Sequence, residues 1–284
     1  MMMNILNLLS KFYYLNPRWL YLAITLVLLI PMIFTIPMPE NKGSRGAQGV
    51  YDMVSACPTN KVILIDSSWD MGSKPECMAP LECFVNDLCV RKRKFVVFSS
   101  GLYAPTFANG VIIPIAEKAG YVYGRDWVNL GFIQPPAGSQ TLLIDGFCRD
   151  IFATRPIDYN GTAITNIPLM QNVKNASDIH MVMAINYCPP QEWISIGKSV
   201  YGLEVAFASA AIMAPYYYVF MDSGQLCGLL TGNRGAYDYE TLTGMFGMGR
   251  KVMMAFAFGL CFIIAAVLLG NLGFWAAKRT RRRV

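Results

Sequence analysis

The segment Lys61–Ser67, KVILIDS, is apolar at four consecutive positions and then closes on Asp66 and Ser67. A strand with one wet face alternates apolar and polar side chains, whereas a continuous apolar run needs cover on both faces. Lys94–Ser99 (KFVVFS) and His180–Asn186 (HMVMAIN) repeat this pattern, and Trp127–Ile133 and Glu204–Ser209 are further strand candidates. Helical stretches separate them at Glu76–Val90, Pro105–Ala119, Ser139–Ala153 and Glu192–Val200, and Ala47–Ala56 is expected to be a helix leading into the first strand. This alternation predicts an α/β domain, Rossmann-like and doubly wound, with a mostly parallel five-stranded sheet. After the fifth strand the pattern changes. Pro215–Leu230 is expected to be helical, and a loop punctuated by Gly232 and Gly235 then leads to Ala236–Thr243.

Outward from this domain lie two uncharged segments, Trp19–Met38 and Val252–Ala277. Crossing a bilayer takes about 20 apolar residues at helical rise, so each is expected to be a transmembrane helix. The alternative for the first, a cleavable signal peptide, is disfavoured by the 18-residue leader before it and by the lack of a small-residue cleavage site. The expected layout is an amphipathic leader (1–18), a span (19–38), the α/β domain with a membrane-proximal helical segment (39–251), a second span (252–277) and a basic tail (278–284). In the leader, Ile5, Leu8, Leu9 and Phe12 share one helical face, as in helices that lie in the bilayer interface.

All 18 acidic residues fall between the spans, and the formal charge of +6 comes from the ends. Lys11, Arg18, Lys278, Arg279, Arg281, Arg282 and Arg283 flank the outer sides, against Lys42, Arg45, Arg250 and Lys251 on the inner sides. The bias of Lys and Arg predicts a cell-membrane protein with both termini cytoplasmic and the central domain on the extracytoplasmic, periplasmic side. The reverse orientation stays open, because Arg250 and Lys251 abut the second span on the opposing side.

Several phrases carry a resemblance: SKPECMAPLE (73–82), YGRDWVNLGF (123–132), DYNGT (158–162) followed by Ile167-Pro168, SGQLCGLLTGNRGAYDYE (223–240) and LLGN (268–271). From Tyr51 onward the chain resembles a family of uncharacterised bacterial membrane proteins with a Rossmann-like domain between two transmembrane helices. The resemblance implies that architecture and transfers no catalytic residue. The leader and most of the cysteines depart from the family pattern, which argues against a family-wide thiol function.

Ligands of open α/β sheets bind at the carboxyl ends of the strands. Asp66, Ser67, Ser68 and Asp70 after the first strand, and Ser99, Ser100 and Gly101 after the second, are therefore candidate ligand-binding residues. The same residue types also begin loops and cap helices, and that reading stands beside the first. No G-x-G-x-x-G follows the first strand and no G-x-x-x-x-G-K-[ST] occurs, so no nucleotide or other cofactor is expected. The glycines at Gly228, Gly232, Gly235, Gly244, Gly247 and Gly249 are read as a tight linker to the second span. His180 is the single histidine, which excludes a multi-histidine zinc site. Cys77, Cys83 and Cys89 advance by about 240° each on a helix and share no face, so no metal site is expected. Buried thiols are one reading of the eight cysteines; an extracytoplasmic disulfide, for example from Cys57 to the first domain helix, is the other. The basic run Arg91–Lys94 reads as a helix C-terminus, and no nucleic-acid partner is expected.

Tyr216, Tyr217 and Tyr218 crowd one short stretch, and the second span holds two pairs of small residues at four-residue spacing, Ala255 with Gly259 and Ala266 with Gly270. Both features are candidate interfaces. With no catalytic constellation in view, the expected function is a membrane-anchored structural or assembly component. It would contact lipid and form a homo-oligomer or a hetero-oligomer with other membrane subunits. The alternative is a membrane-tethered small-ligand sensor or enzyme that uses the strand-end loops.

Overall fold

A computed structural model describes residues 11–34, 42–187 and 190–281. The chain divides into two compact units, Glu40–Arg250 and a terminal unit made of Met1–Pro39 with Lys251–Val284.

The Glu40–Arg250 unit is built on six strands: β1 (Val62–Ser67), β2 (Phe95–Ser99), β3 (Trp127–Phe132), β4 (Ile179–Ile185), β5 (Glu204–Ser209) and β6 (Gly228–Thr231). Every pairing is parallel, in the order β3-β2-β1-β4-β5-β6. Successive side chains of a strand point to opposite faces, and both faces are apolar as the sequence required. Ile63, Ile65, Val97 and Met183 enter one core, while Leu64, Val96, Phe98 and Val182 enter the other. The first core lies under α2 (Arg45–Ala56), α3 (Lys74–Val90), α4 (Ala104–Lys118) and α8 (Gly232–Thr243). The second lies under α5 (Gln140–Arg149), α6 (Ile151–Thr154), a π-helical turn at Trp193–Lys198 and α7 (Ala214–Asp222).

The sheet has six strands rather than five. Gly228–Thr231, expected as the end of a helix, pairs in register with Ala206–Ser209. Helix α7 stops at Asp222 and the chain turns through Gly224 before β6 begins. The cause lies in α2. A Cβ on Gly49 would sit 2.0 Å from the carbonyl oxygen of Cys227, and one on Gly228 would sit 2.5 Å from the backbone nitrogen of Val50. Bare backbone on both sides lets α2 lie directly against β6, so Gly228 serves packing rather than a linker. Gly232 and Gly235 likewise fall at a strand-to-helix turn, where α8 begins.

Two other expected helices are altered. Ser139–Ala153 breaks at Asp150, whose extended backbone ends α5 and whose carboxylate accepts from Ala153 N at 3.1 Å to start α6. Glu192–Val200 forms a π-turn, and at Gly197 a Cβ would meet the Trp193 ring at 2.9 Å. A buried hydrogen bond ties α3 to α8: Tyr239 donates to Asp87 at 2.6 Å, and Arg91, at the end of α3, donates to the other carboxylate oxygen at 2.7 Å.

Helix α9 (Met248–Arg281) begins inside this unit. Two free N–H groups of its first turn, those of Gly249 and Arg250, donate to the buried Glu240 carboxylate at 2.8 Å. Orphan N–H groups at a helix start are costly when buried. Glu240→Ala is expected to destabilise the domain by about 1–3 kcal/mol, read as a lower midpoint in chemical denaturation; an unchanged midpoint would refute the capping role.

In the terminal unit, α9 is the one described helix long and apolar enough to cross a membrane. Helix α1 (Pro17–Ile33) is apolar but has 17 residues, about 25 Å at helical rise against a hydrocarbon core of about 30 Å. A first span over 19–38 is therefore not supported as expected: the described helix ends at Ile33, and residues 35–41 lie outside the described residues. Positions 4–10 of the leader face and the tail beyond Arg281 also lie outside them. Within this unit a Cβ on Gly259 would meet Leu28 at 2.8 Å, so at this position α9 packs against the chain's own α1. Ala266 and Gly270 line an apolar groove of about 330 Å³ with Phe12, Leu15 and Leu20. Ala255 is half-buried.

Candidate functional site

Helix α3 leaves β1 on one face of the sheet and the chain leaves β4 on the other, so a crevice opens between their carboxyl ends. Its walls converge on Asp66. This residue lies on the second-core face of β1, beside Leu64, and is 7% exposed. The indole of Trp193, carried by the π-turn, donates to Asp66 Oδ2 at 2.8 Å, and the Ser68 hydroxyl donates to Oδ1. Burial pushes the Asp66 carboxyl up to about 6; the two hydrogen bonds pull against that shift and the nearby Glu192 carboxylate adds to it.

Beside Asp66 is a cavity of about 320 Å³. Ser100, Gln140, Asn186, Gln191 and Glu192 supply its polar lining, and Ile144, Ala184, Trp193 and Phe207 its apolar walls. A second, more open groove of about 570 Å³ runs between the loops after β1 and β2, and Ser100 and Asn186 border both.

The seven expected ligand-binding residues separate into three groups. Asp66 and Ser100 line the cavity; Ser68, Asp70 and Gly101 line the groove with Ser100. Ser67 and Ser99 are fully buried beneath both, where Ser67 Oγ accepts from Trp69 Nε1 at 2.7 Å and Ser99 donates to the Ser67 carbonyl at 2.6 Å. Those two serines are structural. Ser68 also bridges the loops, accepting from Ser100 N at 2.8 Å and from the Ser100 hydroxyl at 3.1 Å. Asp70 accepts from the backbone and hydroxyl of Ser73, each at 2.8 Å, and these bonds hold its carboxyl below the usual range.

That last contact bears on phosphate binding. In dinucleotide folds the pyrophosphate sits on the N–H groups at the start of the first helix. Here Asp70 already occupies the Ser73 N–H, and Glu76 adds a carboxylate in the first turn of α3. Both repel an anion at the position where one would dock.

Sequence reasoning missed Gln140, Asn186, Gln191, Glu192, Trp193 and Phe207. Asn186 was legible as the residue closing the β4 run. The others reach the cavity from a π-turn, a helix start and a neighbouring strand, which no local pattern marks.

Among the described residues no group of three potential metal ligands occurs. The seven described cysteines are all free thiols, five of them buried, so the buried-thiol reading fits them and the alternative disulfide from Cys57 to the first domain helix does not form; Cys188 lies outside the described residues. Burial pushes the thiols of Cys77, Cys89, Cys148 and Cys227 up to about 12, which suits packing rather than thiolate chemistry. His180 sits with Nε2 3.0 Å from the Met53 carbonyl, joining β4 to α2.

The expected tyrosine interface is corrected in part. Tyr217 is fully buried, with its ring edge-on to Phe207, and Tyr218 packs on the second core. Tyr216 remains exposed, its hydroxyl accepting from Gln191 at 3.2 Å. A different apolar surface is present instead. Met71, Leu102, Tyr103 and Tyr187, each more than half exposed, all line the open groove.

Comparison with protein-family models, curated proteins and solved structures returns no match. The resemblance drawn from sequence phrases gains no support from it, and the site rests on its geometry.

Proposed function

We propose that the domain is a Rossmann-like small-ligand-binding module, tethered to a membrane by α9. The strand order 3-2-1-4-5-6 is that of doubly wound ligand-binding folds, and the cavity lies at their usual binding crevice. The observation that carries the reading is the desolvated Asp66 carboxylate at the wall of this cavity. Burying a carboxylate is costly, and such perturbed groups in clefts mark functional sites. The reading covers sensor and enzyme alike, because fold and pocket do not select a reaction.

The test is small-molecule extraction from purified full-length protein, compared with Gln140→Trp, which places an indole at the cavity mouth. A molecule released by the wild type and absent from the variant supports the site. Equal release from both, or none from either together with no thermal shift against a broad metabolite panel, overturns it.

A second reading, the assembly component, draws on the exposed Met71, Leu102, Tyr103 and Tyr187. Exposed apolar clusters of this kind mark interaction surfaces. Sizing of the full-length protein in detergent separates the two, since a stable monomer that retains ligand binding removes the need for self-assembly. Under either reading we place the domain outside the cytoplasm, on the charge asymmetry of the termini. A Lys118→Cys probe on exposed α4 is then labelled by an impermeant thiol reagent on intact cells; labelling only after lysis would reverse that orientation.

A further inference from the structure

The ionisable residues lining the cavity beside Asp66 are all of one sign. Asp66 and Glu192 are its charged residues, and no Lys, Arg or His contributes to the lining. The remaining polar groups, Ser100, Gln140, Asn186 and Gln191, are neutral. The helix start that serves phosphates in related folds is taken by Asp70. Helix α5 also begins at the cavity with Gln140, but the Ser139 hydroxyl accepts from its Leu142 N–H at 3.4 Å, and Glu192 stands at the start of the π-turn. An anion entering here would meet two carboxylates and no countercharge. A cation would meet both carboxylates and the aromatic wall of Trp193 and Phe207, which suits an ammonium group.

We propose that this cavity binds a small organic cation, an amine or quaternary ammonium compound held by Asp66 and Glu192. The proposal rests on the ligand-binding reading above and narrows it to one chemical class. The volume of about 320 Å³ is at the small end for ligand sites, so the cation is metabolite-sized. Positive charge in the cavity also offsets the cost of ionising a buried carboxylate, as an opposite charge nearby favours the charged form. Among the described residues, Glu192 is the one charged group acting on Asp66; Ser68 and Trp193 face it as neutral donors.

The test is calorimetric titration of the full-length protein in nanodiscs at pH 7.5 with putrescine, choline, glucose and succinate. Putrescine or choline is expected to bind, and glucose and succinate are not. Binding is expected to weaken about tenfold at pH 5, where a carboxyl titrating near 6 is mostly protonated. Glu192→Gln, a change at a half-buried position, is expected to weaken cation binding at least tenfold while leaving the melting temperature in place. Binding of succinate or glucose without the cations overturns this inference and leaves the ligand-binding reading standing. So does protein that releases a neutral or anionic molecule on extraction, or Glu192→Gln protein that binds cations as the wild type does. No binding of any probe by protein that also releases no molecule overturns both.

Discussion

Asp66→Asn is expected to make the domain more stable at pH 7.5 and to abolish the proposed cation binding. The wild-type carboxyl is raised from 3.8 to about 6 in the folded protein. A raised folded-state value means that the native state holds the proton more tightly than the unfolded chain does. The associated stability is fully present below about pH 4 and is lost as pH rises through about 6. Over that window the wild type should lose up to about 3 kcal/mol at this residue, since one pKa unit corresponds to about 1.4 kcal/mol. Asparagine keeps the shape, accepts from Trp193 and donates to Ser68, and carries no charge to desolvate. Other carboxyls titrate nearby, with Asp70 and Asp126 lowered and Glu240 raised. The difference between variant and wild type isolates Asp66 from them. The measurement is chemical denaturation of both proteins at pH 4 and pH 7.5. A variant less stable than the wild type at pH 7.5 would show that the buried charge is not a cost, and the functional argument built on that cost would go with it.

The second large effect is steric. Gly49→Ala places a methyl group 2.0 Å from the Cys227 carbonyl oxygen, a backbone atom of the residue whose N–H donates to the Val205 carbonyl at the sheet edge. Neither partner is the end of a flexible side chain, so α2 must move off β6. Overpacking of this kind costs about 1–3 kcal/mol, and separating a helix from its strand adds lost burial. A loss of at least 3 kcal/mol is expected, with β6 the first element to lose hydrogen-exchange protection. Gly110→Ala is the control. Gly110 lies within α4, exposed, with nothing within 4 Å of an added Cβ. It should gain about 0.5–1 kcal/mol from helix propensity alone. Equal behaviour of the two variants would mean that α2 does not rest on β6 as described.

These two sites differ in how far they could be read in advance. Asp66 was visible, because a carboxylate closing an apolar run at a strand end is unusual and lies where parallel sheets bind ligands. Its partners were not. Trp193 is more than a hundred positions away and reaches Asp66 from a π-turn whose width depends on Gly197 fitting under the indole ring. Ser67 and Ser99 looked equivalent to Ser68 and Ser100 in sequence, yet strand alternation points the first pair into the core. Tyr216 and Tyr217 adjoin each other, and only the helix rotation decides that one is exposed and the other buried.

By itself the sequence determined the parallel α/β architecture, five of the six strands and an apolar C-terminal helix, because continuous apolar runs and unbroken helical spans are local properties. Tertiary structure alone decided the sixth strand, since GLLT at 228–231 has no strand signal until α2 presents two glycines to it. It also decided which polar residues enclose one cavity. Burial, and with it the energy of a charge, depends on what distant segments place around a residue, and neighbouring residues carry no record of that.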